Sequence, residues 1–286
     1  MTELTSKAML VRLTIKQWSA RKHDRKASNE IADKYGAERD MGRYNKALLA
    51  KEALAEISSL AGAMRNNHYS QTLPWLDEGY RILPAANYFE YQKRQQDHRV
   101  KFESAIAKFQ ASYTAYVTDA QRRLNGMFDP ADYPAESEIA GRFGVDAAVV
   151  PMPDRDDFRV DLGAEEEARI RNDIEARVGA ATKAAMSELW QRLYDAASHM
   201  AERLRAYTGT REGSFRDSLV ENLREIVDLV PRLNVTGDAR LAEMAQRLAD
   251  TCCAVDAQTL RDIPQHREIV ARSAEAILAD MQEFLA

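Results

Sequence analysis

The sequence predicts a mainly α-helical fold with a small β-sheet, which places the chain in the α+β class. Apolar residues recur at helical spacing over two long stretches, residues 86–125 and 164–207. Charged residues make up 30% of the chain, and glycines and prolines are few, a composition that suits long helices. Met9–Trp18 instead alternates apolar with polar residues and predicts a half-buried strand.

A basic cluster follows this predicted strand. Arg21, Lys22, Arg25 and Lys26 surround His23 within a few residues. Such a cluster can neutralise phosphates, and each contact adds salt-dependent affinity for nucleic acid. An ordinary exposed, charged loop is the alternative interpretation.

Further along the N-terminal region, residues 28–36 predict a short helix ended by a glycine. A polar turn then brings Arg43, Tyr44 and Lys46 close together. The turn adds one aromatic ring and two cations to the basic cluster. Arg43, Tyr44 and Lys46 are therefore further candidate contact residues.

Six aromatic residues crowd the stretch His68–Tyr91. Rings at this density are either buried or offered to a flat partner, because exposed together they would form a sticky patch. Trp75 and Tyr80 stand beside Arg81, an arrangement compatible with base stacking next to a phosphate contact. Residues 80–83 also predict a short strand.

The middle of the chain predicts two more strands, at residues 145–150 and 158–162. With residues 11–15 they would form a three-stranded sheet. The four acids between Asp154 and Asp161 suggest a metal site, but they lack the spacing of a calcium loop and have no histidine nearby. A turn that leads into an acidic helix N-terminus explains them more simply.

Charge divides the chain into two regions. Residues 1–126 hold 21 Lys/Arg against 14 Asp/Glu, net +7, whereas residues 127–286 hold 19 against 31, net −12. We predict a basic, aromatic-rich α+β region over 1–163 and an acidic, all-helical region over 164–286. The basic part indicates a polyanion partner, although two solvated surfaces of unequal sign would give the same numbers.

Several kinds of chemistry have no signature in the sequence. The five histidines are isolated, phosphate-binding glycine loops and nucleophile elbows are absent, and no apolar run is long enough to span a membrane. The only cysteines, Cys252 and Cys253, are adjacent and poor partners for a disulfide, which favours a reducing cytoplasm. The sequence therefore predicts a non-enzymatic cytoplasmic protein with neither cofactor nor metal.

Four stretches carry a family resemblance: TLPWLDEGYRILPAANYFEY, LNGMFDPADYP, PMPDRDDFRVDLG and SFRDSLVENLREIVDLVPRLNVTGD. Over about residues 65–240 the chain resembles a family of largely uncharacterised bacteriophage and prophage proteins. It also resembles the single-stranded-DNA-binding proteins of podophages that carry a giant virion RNA polymerase. That resemblance implies a fold other than the OB-fold, a role in phage transcription and DNA replication, and location in the host cytoplasm. It supplies no residue-level motif for DNA contact.

Together these observations favour a protein that binds single-stranded DNA, with cations on phosphates and rings on bases. A phage RNA polymerase or replication proteins are further candidate partners. The candidate contact residues are Trp18, Arg21, Lys22, Arg25, Lys26, Arg43, Tyr44, Lys46, Trp75, Tyr80 and Arg81.

The alternative is an oligomeric structural or adaptor protein of a phage with no nucleic-acid binding. Two helical rods of about 60 Å would leave apolar stripes to cover, which predicts a dimer or tetramer through residues 86–125, 164–207 or both. A nuclease that uses the acids at Asp154–Asp161 is a third hypothesis.

Overall fold

The computed structural model describes residues 4–76, 79–209 and 215–284. It confirms a mainly α-helical protein with a small β-sheet. The strands are β1 (Ala8–Lys16), β2 (Arg21–His23), β3 (Asn45–Ala47), β4 (Leu73–Pro74), β5 (Arg81–Pro84) and β6 (Gly144–Pro151). The helices are α1 (Arg25–Tyr35), α2 (Ala55–Ser70), α3 (Tyr88–Ala111), α4 (Tyr113–Leu124), α5 (Glu136–Ile139), α6 (Ala164–Arg205), α7 (Ser218–Leu233), α8 (Ala239–Thr251), α9 (Ala257–Asp262) and α10 (Pro264–Gln282).

The larger sheet has the strand order β4–β5–β1–β6, and β2 pairs with β3 in a separate two-stranded sheet. Strands β1 and β6 occupy the positions that the alternation predicts. The predicted strand at 158–162 is wrong, because the Phe158 carbonyl accepts a hydrogen bond from Arg171 of α6 and Val160 and Leu162 remain exposed. Strand β5 pairs with β1 instead, with Ala8 opposite Pro84.

The predicted continuous helix over 86–125 is also wrong, because it breaks at Ser112 into α3 and α4. The Ser112 N–H is shared between the carbonyls of Lys108 and Phe109, at 3.2 and 3.1 Å, which tightens the turn. Beside this break the Phe109 ring stacks on Tyr116, with centroids 5.5 Å apart. Tertiary packing of these rings therefore replaces the single 60 Å rod.

Contacts divide the chain into two compact units that interleave along the sequence. Unit 1 contains Met1–Arg12, Tyr69–Tyr91 and Ala148–Ala286; unit 2 contains Leu13–His68 and Gln92–Ala147. The charge asymmetry is retained in this division. Unit 2 holds 19 Lys/Arg against 15 Asp/Glu, net +4, and unit 1 holds 21 against 30, net −9.

The predicted regions 1–163 and 164–286 follow the sequence in order, whereas the compact units do not. Long-range pairing explains the difference, because strand β1 bonds to β5 about 70 residues later. Such a pairing has no local sequence signature. Helices α6–α10 nevertheless all lie in unit 1.

Unit 1 is built around α6, which packs against α7, α8 and α10. Leu189, Leu193 and Met200 on its apolar stripe are fully buried. The segment of α6 before Val178 contains no buried residue. Most of the stripe predicted to join subunits therefore forms an internal core instead.

Unit 2 has its own core, in which α2, α3 and α4 bury aromatic and aliphatic side chains. Phe102, Phe109 and Tyr113 are at most 3% exposed, and Leu48 and Ile139 pack in the same cluster. Among the helices that the structure describes, none is long and apolar enough to cross a membrane.

Candidate nucleic-acid interface

The basic cluster and the polar turn belong to one segment of unit 2, residues 21–47. We call this segment the β2–α1–β3 module. Its two strands pair antiparallel, with Arg21 opposite Ala47 and Lys22 opposite Lys46. At the base, the N–H of Leu48 donates to the carbonyl of Ala20 at 2.7 Å. Strand pairing thus places the basic cluster and the polar turn in one module.

Helix α1 of the module is defined by its caps. The Asp24 carboxylate accepts the N–H of Ala27 at 3.0 Å, so the helix begins at Arg25, three residues before the predicted start. Gly36 ends it in the left-handed region at φ 63°, where a glycine is favoured. Arg25 and Lys26 consequently lie in the first turn of a helix.

Ser28 connects this helix to the returning chain. Its hydroxyl donates to the carbonyl of Asp24 at 2.7 Å and accepts the N–H of Tyr44 at 2.9 Å. The Asp24 N–H donates in turn to the Tyr44 carbonyl at 2.9 Å. Ser28 is only 9% exposed, so these bonds are shielded from water. They fix the backbone of Tyr44 while its ring remains at the surface.

Beneath the module, Lys46 forms an ion cluster with two acids, Asp132 and Asp24, and a second lysine, Lys22. The Lys46 Nζ lies 2.7 Å from Asp132 and 3.4 Å from Asp24, and it donates to the carbonyl of Met127 at 2.9 Å. Lys22 pairs with the other oxygen of Asp132. Lys46 is 6% exposed and so is not available to a phosphate in this arrangement.

The ion pairs decide the charge states within this cluster. Burial by itself would raise the pKa of Asp132, but the bonds from Lys22 and Lys46 outweigh it and hold that pKa below its ordinary value. Burial opposes the charge on Lys46 as well, yet Asp132 and Asp24 together raise the Lys46 pKa above its ordinary value. Asp132 and Lys46 are therefore both charged at neutral pH.

Four of the predicted cations, Arg21, Arg25, Lys26 and Arg43, are exposed in the module. Within residues 4–76, 79–209 and 215–284, none of the four forms an ion pair. A cation that is not already neutralised gains most from a phosphate, because no existing partner must be displaced. These four side chains are the part of the predicted set that can bind a polyanion directly.

An apolar groove runs beside them, between α1 and the loop that returns to β3. Ile31, Tyr35, Met41 and Tyr44 line it and are 47%, 74%, 76% and 38% exposed. Its volume is about 250 Å³. Of these residues, only Tyr44 was among the predicted contacts. The i, i+4 spacing of Ile31 and Tyr35 on a helix flanked by cations was a signal that could have revealed the others.

Three predicted rings lie elsewhere. Trp18 packs edge-on against Tyr113 of the unit 2 core, with centroids 6.2 Å apart. Trp75 and Tyr80 belong to unit 1 and pack against its core, and the Arg12 guanidinium lies 5.0 Å from the centroid of the Tyr80 ring. Each ring already has a partner, so none is offered with a free face as the prediction requires.

Arg81 is also engaged within unit 1. Its guanidinium donates to the hydroxyl and carbonyl of Thr72, at 2.7 and 3.2 Å, and lies 3.5 Å from Glu188. It also lies over the Tyr69 ring, 4.9 Å from the centroid. Burial lowers the pKa of Arg81, an effect that Glu188 opposes. This residue stabilises the sheet edge.

Residues considered for catalysis have structural explanations. Asp154 accepts the Thr5 hydroxyl at 3.0 Å and the N–H of Asp156 at 2.9 Å, as a turn cap does. Cys252 and Cys253 are buried, and burial raises the pKa of the Cys253 thiol to about 11. Among the residues described, no three His, Cys, Asp or Glu side chains gather as metal ligands.

Comparison with known proteins gives no relative: no protein-family model, curated protein or solved structure matches the chain. The functional meaning of the β2–α1–β3 module therefore depends on its own residues. Those residues include four predicted cations that have no ion partner in the part of the chain that the structure describes, two exposed tyrosines and an apolar groove.

Proposed function

We propose that this chain binds single-stranded DNA, with little sequence preference, through the β2–α1–β3 module. In this proposal it acts in phage transcription or DNA replication in the host cytoplasm, beside a phage RNA polymerase or replication proteins, and catalyses no reaction itself. The phage setting follows from the resemblance of the four sequence stretches. The binding activity follows from the module.

The single observation that carries the proposal is that four of the predicted cations, Arg21, Arg25, Lys26 and Arg43, are exposed and have no ion partner within the described residues. Arg43 adjoins Tyr44, whose ring is exposed and whose backbone is already fixed. Single-stranded DNA offers phosphates to such cations and unpaired base faces to such a ring. A duplex offers only the phosphates, so single strands should bind more tightly.

Charge supports the same partner. The module contains eight Lys/Arg against five Asp/Glu, net +3, within a unit of net +4. Three of its cations, Lys22, Lys46 and Arg39, already pair with carboxylates. The proposed contacts therefore exclude Lys46, and they also exclude Arg81, Trp18, Trp75 and Tyr80, which have partners of their own.

The test is fluorescence anisotropy with a labelled single strand, titrated at several salt concentrations. Four phosphate contacts predict a log–log slope of about −3, from about −0.7 per phosphate neutralised on a single strand. The combined change of Arg21, Arg25, Lys26 and Arg43 to alanine should flatten that slope by up to about 3 units.

The matched control changes four other exposed unit 2 cations, each already paired with a carboxylate: Arg99, Lys108, Arg122 and Arg123. Their combined replacement by alanine should change the slope far less. An unchanged slope in the first variant, or equal affinity for a duplex of the same length, would contradict the proposal.

One observation favours the alternative of an oligomeric structural or adaptor protein. The segment of α6 before Val178 contains no buried residue, although Ile170 and Ile174 lie on its stripe, and Val160 nearby is 56% exposed. A second copy could cover this face, and a homo-oligomer is compatible with DNA binding too. Light scattering tests for a homo-oligomer. A mass near the 32.3 kDa of one chain at micromolar concentration would rule out the oligomer.

A further inference from the structure

The apolar groove of the β2–α1–β3 module is not explained by phosphate binding alone. Four of its lining residues are large, apolar or aromatic, and substantially exposed. Exposed apolar groups that cluster in a concave site usually mark a binding surface. We infer that the groove receives one unpaired base of the bound strand, which rests on the proposed DNA-binding function.

Size and surroundings support a base as the occupant. A volume of about 250 Å³ is smaller than the ~300–1,000 Å³ typical of sites for drug-sized molecules, and it suits a single ring system. Arg43 lines the groove and exposed cations of the same module lie on either side of it in sequence. The sugar and phosphates that accompany a base would meet these cations.

A second copy that presented its own module would fit this groove less well. Its own module would bring the same excess of positive charge toward these cations, and like charges repel. The groove wall also includes one acid, Glu38, which lies on the same loop as Met41. A base is neutral and tolerates that acid, provided that the phosphates point toward the arginines.

The groove is formed before a ligand arrives. The hydrogen bonds of Ser28 hold the backbone of Tyr44 against α1, and Gly36 turns the chain at the other end of the helix. A site fixed in advance loses little entropy on binding. Its walls should therefore discriminate between a strand that carries bases and one that does not.

The experiment compares two strands of about 12 nucleotides on the full chain. One is oligothymidylate, and the other is a deoxyribose phosphate strand without bases. Wild type should bind oligothymidylate roughly 5- to 150-fold more tightly, which is the fold-change that corresponds to one stacked base. The salt slopes of the two strands should be similar, because their phosphates are the same.

Two variants locate the effect. Gly42 lines the groove, has no need of a positive φ, and has open space where a Cβ would lie, so Gly42→Leu should partly fill the groove. This variant should lose most of the preference for oligothymidylate and bind the base-free strand as wild type does. Met41→Ala, which removes an exposed side chain from the wall, should weaken oligothymidylate binding in the same direction.

Gly141→Leu is the control, since that glycine is also exposed in unit 2 and also has open space around it. This control should change neither the affinity for oligothymidylate nor the affinity for the base-free strand. Equal binding of both strands by wild type, or a Gly42→Leu protein that folds and keeps the full preference, would overturn the inference and assign the groove to another occupant, such as an acidic amphipathic peptide. Failure of wild type to bind either strand would instead refute the proposed function and the inference with it.

Discussion

The Nζ of Lys46 lies 2.7 Å from the Oδ2 of Asp132, a residue 86 positions later in the chain. This contact joins the β2–α1–β3 module to the segment that follows α4. The side chains of Lys46 and Asp132 are only 7% and 3% exposed. Lys46, which the sequence predicts as a candidate DNA contact, therefore attaches the β2–α1–β3 module to the rest of unit 2.

Replacement of Asp132 by asparagine should destabilise unit 2. Lys46 would keep its charge and lose its nearest carboxylate, and a broken buried pair typically costs about 3–5 kcal/mol. Lys46 would still lie 3.4 Å from Asp24, so we expect a lower value of about 2 kcal/mol. Urea unfolding of wild type and variant at pH 7 measures this loss in the free energy of unfolding.

The control for this prediction is Asp119→Asn, which removes an exposed pair with Arg122 on α4. That change should cost less than about 0.5 kcal/mol, because exposed pairs contribute little. Equal destabilisation by the two variants would contradict the structural role of Lys46 and Asp132.

The stabilisation by Asp132 should also disappear in acid. Because the ion pairs hold the pKa of Asp132 below its ordinary value of 3.8, its contribution is complete above that value and is lost as the pH falls through the lower, folded-state pKa. Wild type and Asp132→Asn should therefore differ by a constant amount between about pH 5 and 9 and converge below about pH 4. Unfolding curves at several pH values check this, and a difference that persists at about pH 2 would contradict it.

Trp18 and Tyr44 should respond differently to alanine. Trp18 packs on Tyr113 in the core, so Trp18→Ala should destabilise the protein by about 2–3 kcal/mol, below the usual cost of a fully buried tryptophan, with little effect on DNA affinity. Tyr44→Ala should leave stability nearly unchanged and weaken binding to single strands about 5- to 150-fold. Melting temperature and anisotropy, measured on both variants, distinguish these roles. The reverse pattern would transfer the stacking role to Trp18.

Ser28→Ala should loosen the loop that carries Tyr44. The substitution leaves the Tyr44 N–H without its acceptor and removes the bond to the Asp24 carbonyl, at a cost of about 1–2 kcal/mol. Hydrogen exchange of the Tyr44 amide should become faster, whereas amides in α2 should exchange as before. Thr118→Ala, which removes an exposed hydroxyl bond within α4, is the control. Unchanged Tyr44 exchange would show that other contacts fix the loop.

Several elements follow directly from the sequence. Helix α6 runs from Ala164 to Arg205, within two residues of the predicted 164–207, because one apolar stripe extends along its whole length. The break at Ser112 was not predictable, since no glycine or proline marks it and the cause is a local hydrogen-bond shift among packed aromatic rings. Pairing of β5 with β1 is likewise a long-range choice without a local signal.

The candidate site was only partly predictable for a related reason. Arg21 and Lys22 are equivalent basic residues in the sequence, but adjacent residues of a strand point to opposite faces. The register places Lys22 directly opposite Lys46, and both reach Asp132 from that face. Arg21 lies on the other face and remains exposed. Which cations are already paired thus depends on a partner 86 or more residues away.

The closure of the β2–α1–β3 module at Ala20 and Leu48 has an evolutionary consequence. Because the chain enters and leaves the module at two hydrogen-bonded neighbours, the module resembles a cassette with adjoining ends. Insertion or exchange of such a cassette needs no rearrangement of the host core, as loop tolerance to insertion implies. Different binding loops could be accommodated on the same helical scaffold, provided that each supplies its own counter-charge for Asp132.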